Sequence, residues 1–218
     1  MEDTVKNIVH ISGYTLAAMQ GVPAISPNTD TLLPPSTNDW EEVCWGRDKL
    51  LGRIPMGLWL ARKIRANRIV WSTGASRRQH DKKIESEVLY EMALQNYFNL
   101  RRQFPHRFTK SEWTSEYAYT RWLKDTKVFE STSKNTAQSM TALRALVADY
   151  ARPDEQVMIY LVSSANHAPR VLRDAQVAFA IGSRLSDTRY HVTLAAVSAE
   201  TNYAGKHTED VVVRDLGN

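Results

Sequence analysis

The chain has little that would tie it to an oxidising compartment or a membrane. Cys44 is its only cysteine, so it forms no internal disulfide, and a lone cysteine is typical of a reducing compartment. No stretch approaches the roughly 18 apolar residues that span a bilayer. The amino terminus lacks a basic segment followed by an apolar run, which argues against a secretory signal. We therefore expect a soluble, cytoplasmic protein with no membrane partner.

Several widespread site motifs are missing as well. The six histidines fall in neither HxH nor HExxH spacing, and a single cysteine makes no CxxC pair, so no metal site is predicted. The sequence has no GxSxG elbow and no Walker loop. A GxGxxG fingerprint is also absent, which argues against a standard dinucleotide dehydrogenase. These absences leave the cofactor unknown.

Positive charge is concentrated in one stretch. Residues 47–83 carry eleven Lys and Arg and two Asp, a net charge of +9, whereas the whole chain carries +4. Such a stretch attracts anions, but it is also typical of a solvated basic helix face or of a surface for nucleic acid or a partner protein. Nucleic acid is disfavoured because no RNP aromatic motif, zinc-finger spacing or arginine-rich tail accompanies it.

Apolar runs alternate with amphipathic stretches, which predicts helices covering a parallel sheet. We expect an α/β, Rossmann-like doubly wound fold with a mainly parallel sheet of about five strands and helices on both faces. The predicted strands are 6–11, 68–72, 127–129, 156–163 and 191–197. The predicted helices are 55–66, 82–100, 133–150 and 168–181.

The 218 residues are compatible with a single domain over 1–218. Four prolines fall between residues 21 and 46, which predicts a long loop. An aromatic-rich segment at about 96–125 predicts a helical insertion, whose role as a lid, a dimer contact or plain core is open. The oligomeric state is open too.

Small polar turns follow four of the predicted strands. In doubly wound sheets ligands lie outside the carboxyl ends of the strands, near the point where the strand order reverses. Small residues let backbone N–H groups approach a ligand, and helix amino termini favour negative charge. The four turns are Ser12-Gly13, Ser72-Thr73-Gly74, the run 130–136 and Ser163-Ser164. Together they predict a site for a small anionic molecule.

Two further groups of side chains are candidates for chemistry. His167 and Arg170 lie three residues apart at a predicted helix start, so they share a face. The imidazole could act as a general acid or base and the guanidinium could hold a phosphate or carboxylate, although a capping His and a surface Arg are the alternative. Glu85 and Glu87 follow the second turn. One of them could orient a hydroxyl or activate water, or both could complement a helix dipole.

In their order along the chain, these segments resemble those of the YdcF-like family, also called the domain of unknown function 218 family. The likeness runs over roughly residues 5–200, and its closest part is a strand followed by Ser-Ser and His-x-x-Arg. The matching segments are 8–13, Arg53, 68–74, the Ser-Glu-Val run 86–88, Glu130, the cap 132–135, Ser163, Ser164, His167 and Arg170.

The chain departs from the family pattern at three points. Lys134 stands where the family usually has Glu, Thr73-Gly74 replaces a double Gly, and the segment 96–125 is longer than in the family. A base in place of an acid would suit a more anionic ligand or mark a specialised branch. Several relatives carry amino-terminal membrane segments, which this sequence lacks, so an envelope role is not expected.

The resemblance implies a Rossmann-like fold, an enzyme and, from a suggestion made for one relative, S-adenosylmethionine binding. We expect a hydrolase or transferase acting on an anionic or nucleotide-like substrate. His167 is the expected acid or base, with Glu87 or Glu130 as its charge partner. The expected substrate-binding residues are Ser12, Gly13, Arg53, Ser72, Thr73, Gly74, Thr132, Lys134, Asn135, Ser163, Ser164 and Arg170. The alternatives are a non-catalytic S-adenosylmethionine or nucleotide binding module, and an interaction protein that uses residues 47–83.

Overall fold

A computed structural model describes residues 5–19, 21–26, 29–33, 39–109, 115–180 and 191–201. Its strands are β1 (Lys6–Ile11), β2 (Ala24–Ile25), β3 (Gly46–Arg47), β4 (Leu50–Leu51), β5 (Arg68–Ser72), β6 (Arg77–Arg78), β7 (Lys127–Glu130), β8 (Gln156–Ser163) and β9 (His191–Ser198). Its α-helices are α1 (Arg53–Lys63), α2 (Glu85–Gln95), α3 (Tyr97–Gln103), α4 (Glu116–Thr126), α5 (Thr136–Tyr150) and α6 (Ala168–Ala178). A 3₁₀ turn covers Leu16–Ala18 and a π-helix covers Glu41–Trp45.

The central sheet is parallel throughout and runs in the order β7-β5-β1-β8-β9. Counted along the chain, its five strands therefore lie in the order 3-2-1-4-5. The order reverses between β1 and β8, which pair from Lys6 against Val157 to Ile11 against Val162. This arrangement confirms the predicted doubly wound α/β fold, and it puts the predicted ligand edge beyond Ile11, Ser72 and Ser163.

Alternate residues of the sheet supply two separate cores because side chains in a strand point to opposite faces. Val9 and Trp71 pack with the cluster that contains residues of α1 to α4. Ile8 and Val70 pack with residues of α5 and α6 on the other face. Helices thus cover both faces of the sheet. None of the helices in the described ranges is both long and apolar enough to cross a membrane.

The single helix predicted over 82–100 is wrong, because it starts later than predicted and is divided into two helices. Lys82 has a φ of 60°, and α2 begins only at Glu85. The Asn96 side-chain amide donates to the Met92 carbonyl at 2.9 Å, and α2 ends there before α3 begins at Tyr97. An amide side chain that bonds to the backbone of its own helix competes with the helical ladder, which accounts for the interruption.

The predicted insertion at about 96–125 packs into the first core. The rings of Tyr97 and Tyr119 lie 5.1 Å apart, and both side chains are buried. The Tyr119 hydroxyl donates to the Ala93 carbonyl at 2.6 Å, which ties α4 to α2. Residues 110–114, which include Trp113, lie outside the described residues. The role of this segment as a lid, a dimer contact or core was open. In the described residues, α3 and α4 pack as core.

The segment 21–46 is more ordered than the predicted long loop. β2 pairs antiparallel with β6, with Ala24 opposite Arg78. Trp40, Val43 and Cys44 are fully buried at the π-helix. The four prolines indicated a loop, but the burial of three apolar side chains close together in sequence stabilises local structure at residues 40–45. Residues 27–28 and 34–38 of this segment are not among those described.

Candidate functional site

A cavity of about 400 Å³ opens at the carboxyl edge of the sheet, where the strand order reverses. The turns after β1, β5 and β8 form its floor, and the amino termini of α5 and α6 form its rim. The predicted site residues that line it are Ser12, Gly13, Arg53, Ser72, Thr73, Asn135, Ser164, His167 and Arg170. The sequence therefore indicated nine of the side chains and turn residues that the fold brings to this cavity.

Arg53 is the cation at the centre of the cavity, and it is only 2% exposed. Its guanidinium donates to the Ser12 carbonyl at 3.4 Å, to the Gly13 carbonyl and to the Ser164 hydroxyl at 2.6 Å. Within the described ranges, its Nε has no hydrogen-bond partner. None of the salt bridges between described residues involves Arg53. A buried cation that no carboxylate bonds directly favours an anionic ligand.

Two helices direct their amino termini at the cavity. Asn135 caps α5 by accepting the Gln138 N–H at 3.0 Å, and Thr136 begins the helix. His167 occupies the cap position of α6, and Arg170 lies one turn further on. Arg170 is a rim residue whose side chain is 58% exposed and lies 3.8 Å from Asp174. Helix amino termini carry partial positive charge, which adds to that of the two arginines.

His167 is held between two hydroxyl groups. Its Nδ1 lies 3.1 Å from the Ser163 hydroxyl, and its Nε2 lies 3.2 Å from the Thr136 hydroxyl. Burial lowers the pKa of His167 to about 4, and the charges of Arg53 and Arg170 act in the same direction. The imidazole is therefore neutral at pH 7 and able to accept a proton. Ser163 does not line the cavity, and its contribution to the site is the hydrogen bond between its hydroxyl and His167.

His10 is a site residue that the sequence did not indicate. It lies on β1, lines the cavity floor and is 1% exposed. Its Nε2 lies 3.3 Å from the Ser139 hydroxyl, while its Nδ1 has no hydrogen-bond partner in the described part of the chain. Burial lowers the pKa of His10 to about 4. A histidine among the apolar residues of a strand is usually a core residue, so the sequence gave no reason to select His10. Its role in the site becomes visible only in the structure, where α5 places Ser139 beside it in the cavity.

Glu130 lies behind the cavity and not in it. Its carboxylate accepts hydrogen bonds from the backbone N–H groups of Thr132 and Ser133 and from the hydroxyls of Ser72, Thr132 and Ser133. Burial by itself would raise the pKa of Glu130, but these hydrogen bonds hold it below its usual value. The residue thus fixes the turn after β7. Its link to the cavity is the hydrogen bond from Ser72, a cavity residue whose hydroxyl also lies 2.6 Å from that of Ser139.

At the start of α2, the structure places Glu85 in the cavity and the predicted site residue Glu87 outside it. Glu87 accepts the Ile84 N–H at 3.1 Å as part of the helix cap and does not line the cavity. Glu85 does line it and is 1% exposed. The spacing gave only a partial signal, because Glu85 precedes the buried Val88 and Leu89 by three and four residues but Glu87 also precedes the buried Tyr90 by three.

The Glu85 carboxylate is held by the Ser76 hydroxyl at 2.9 Å and by the backbone N–H of Tyr14. Burial raises the pKa of Glu85 to about 7, against the lowering effect of these hydrogen bonds and of the Arg53 charge. A Cβ at Gly13 would lie 2.0 Å from Glu85 Oε1 and 2.5 Å from the Ser72 carbonyl oxygen. Only glycine therefore lets the turn after β1 pass between these groups.

Three other predicted residues lie outside the cavity. The Lys134 side chain is exposed, and its backbone N–H donates to Gln138. Thr132 bonds to Glu130. Gly74 packs against the next turn, where a Cβ would lie 1.9 Å from the Ser131 carbonyl oxygen. Gly74 therefore allows two turns of the site to approach each other, and it does so without contacting the cavity.

The basic stretch 47–83 does not form one continuous surface. Arg53 points into the cavity, whereas Arg78 and Lys83 pair with Asp81 and Glu91 on the surface. Near the carboxyl end of α1, a second cavity of about 570 Å³ is lined by Arg62, Lys63, Arg65, Ala66, Trp122 and Thr126. Basic residues at a helix carboxyl end also complement the helix dipole.

Comparisons with protein-family models, curated proteins and solved structures gave no match. The resemblance to the YdcF-like family therefore stands on its motifs alone. In the part of the chain that the structure describes, no three His, Cys, Asp or Glu side chains are grouped so as to hold a metal ion.

Proposed function

We propose that this protein is an enzyme that acts on a small phosphate-bearing substrate by acid–base hydrolysis or group transfer. The observation that carries the proposal is a set of buried polar atoms. His10 Nδ1, Ser12 Oγ and Arg53 Nε belong to side chains that line the cavity, and none of the three has a hydrogen-bond partner among the residues that the structure describes. Buried polar atoms are nearly always paired, so three unpaired ones around one cavity favour a polar ligand there.

The charge around the cavity favours an anion. Arg53 supplies a desolvated cation, and the amino termini of α5 and α6 add partial positive charge. Ser12, Thr136 and Ser164 add hydroxyl groups. Cations, helix amino termini and hydroxyl groups are the groups that donate hydrogen bonds to phosphate oxygens in proteins. Among the described lining residues the only carboxylate is that of Glu85. A volume of about 400 Å³ suits a sugar phosphate or a mononucleotide.

His167 is the proton-transferring group in this proposal. Its neutral ring faces the cavity beside the Thr136 hydroxyl, which orients it, and it takes the proton of the attacking water or hydroxyl group as the new bond to phosphorus forms and the ester oxygen leaves. A bound anion offsets the charges of Arg53 and Arg170, which lower the pKa of His167 in the free protein. Burial, which is the main cause of the low pKa of His167, persists when the substrate binds, but the part of the lowering that comes from the two arginines is reduced, so the pKa of His167 rises.

S-adenosylmethionine fits this cavity poorly. The molecule carries a sulfonium and an ammonium cation against a single carboxylate, so its net charge is positive. The cavity is itself positive through Arg53, Arg170 and two helix amino termini. A binding module for a nucleotide meets no such objection and is the second candidate, supported by the same unpaired atoms. Membership of the YdcF-like family remains a proposal that rests on the motifs.

Arg170→Ala should weaken anion binding about tenfold, the effect of losing one charged contact at a partly exposed rim. The measurement is a thermal-shift titration with phosphate, sugar phosphates and nucleotides. A ligand at a hundredfold its Kd should add about 2.7 kcal/mol to the free energy of unfolding of the wild type.

Arg173→Ala is the matched control for this titration. Arg173 lies on the same helix and also contacts Asp174, but it does not line the cavity. Its loss should leave the ligand-induced shift unchanged. Equal losses in both variants, or no shift with any anion in the wild type, would contradict an anion site at this cavity.

A further inference from the structure

We infer that the cavity binds its anion together with a proton, and that Glu85 holds this proton. The inference rests on the proposed function, because it concerns the same anion site. It follows from the position of Glu85 and Arg53 on either side of one turn.

Gly13 lies between the two charged groups. Arg53 donates to the Gly13 carbonyl from one side, and Glu85 Oε1 occupies the space that a Cβ of Gly13 would fill. Both side chains line the cavity, and both are almost fully buried. They share no salt bridge, so Glu85 has the charge of Arg53 nearby without being bonded to it. An anion that bonds to the Arg53 guanidinium must therefore bring its own charge close to the Glu85 carboxylate.

The other charged and titratable groups around Glu85 do not relieve this repulsion. From β7, Glu130 adds a further negative charge. From the π-helix, the buried Cys44 thiol is kept neutral because burial raises its pKa far above the usual range. Arg53 is the cation that acts on Glu85. Once an anion competes for that cation, the neutral form of Glu85 is favoured because a buried carboxylate beside like charge takes up a proton.

The two histidines of the cavity are neutral in the free protein near neutral pH, and although a bound anion raises the pKa of His167, that rise starts from about 4, against about 7 for Glu85. His10 and His167 both have pKa values of about 4, so each is neutral above about pH 6. Glu85, with a pKa of about 7, is partly ionised in the free protein in the same range. As pH rises above 7, more of the free protein carries ionised Glu85, and anion binding must weaken.

The test measures the Kd of sulfate at about pH 7 and about pH 8.5 by calorimetry, since sulfate does not itself titrate there. In the wild type, the Kd should be about tenfold higher at the higher pH, as a group with a pKa near 7 requires when binding needs its proton. Glu85→Gln carries a permanently neutral side chain of the same shape. Its Kd should be the same at both pH values and should lie about twofold below the wild-type value at the lower pH, because about half of the wild-type Glu85 is ionised there.

Glu87→Gln is the matched control, because it changes the neighbouring carboxylate of the same helix outside the cavity. It should keep the tenfold pH dependence of the wild type. The melting temperature of each variant without ligand shows that it is folded, and Glu85→Asp replaces Glu85→Gln if the latter is not. A more distant carboxylate should then reduce the pH dependence.

The possible failures are distinguishable. If sulfate binds with the same pH dependence in the wild type and Glu85→Gln, the proton belongs to another group, and the inference is wrong while the anion site stands. If sulfate binds the wild type equally well at both pH values, binding takes up no proton and the inference also fails. If sulfate does not bind and no phosphate ester shifts the melting temperature, both the inference and the proposed function are overturned.

Discussion

Gly13→Ala is expected to abolish anion binding and to lower the free energy of unfolding by about 3 kcal/mol, the upper part of the range for overpacking a buried position. The new methyl group would lie 2.0 Å from Glu85 Oε1 and 2.5 Å from the Ser72 carbonyl oxygen. The Ser72 contact is with backbone, so the turn after β1 must move. That movement takes the Ser12 and Gly13 carbonyls away from Arg53 and displaces the guanidinium. Chemical denaturation and the sulfate titration measure both effects.

Gly21→Ala separates this steric effect from the general cost of replacing a glycine. Gly21 has a φ of +69°, but nothing lies within 4 Å of the position its Cβ would take. Its replacement should cost only about 1 kcal/mol through left-handed backbone strain and should leave anion binding intact. If Gly13→Ala behaves like Gly21→Ala, the turn after β1 is more pliable than its contacts indicate, and its role in forming the site is wrong.

His167→Ala is expected to slow turnover by about 10²–10⁴-fold, the usual contribution of a positioned acid or base. The alanine removes the imidazole beside the Thr136 hydroxyl and leaves the Arg53 contacts unchanged. The loss should therefore fall on kcat, with a small change in KM. Release of phosphate from a panel of sugar phosphates and nucleotides measures it.

His80→Ala is the control for this measurement, because His80 is 66% exposed and lies outside the cavity. Its turnover should equal that of the wild type. A His167→Ala variant that keeps full turnover would remove the role proposed for His167. If the wild type binds phosphate esters but leaves them unchanged, the protein is a binding module, because binding then occurs without a reaction in which His167 could transfer a proton.

The fold followed from the sequence where the local pattern and the tertiary environment agree. Buried parallel strands consist of nearly unbroken apolar residues, so β1, β5 and β8 were predicted within the bounds observed. The same reasoning failed at α2 and α3, where the apolar period continues through Asn96 although one side-chain hydrogen bond divides the helix. Hydrophobic periodicity carries no information about a single capping amide.

The site followed from the sequence only in part, for a different reason. Turn residues such as Ser12 and Thr73 could be predicted because the fold fixes where strands end. His10 and Glu85 could not be assigned in this way, since each lies inside a regular element. Their exposure to the cavity depends on which face that element turns inward. The choice between Glu85 and Glu87 needed the exact start of α2, and element boundaries are the least certain part of a sequence-based prediction.

The position of a bound tetrahedral anion tests the anion site most directly. Crystals of the protein soaked with tungstate, a heavy analogue of phosphate and sulfate, would locate the anion by anomalous scattering. The expected result is a peak between Arg53, Ser164 and His167 at the carboxyl edge of the sheet. A peak confined to the second cavity at Arg62, Lys63 and Arg65, with none beside Arg53, would contradict the assignment of the anion site.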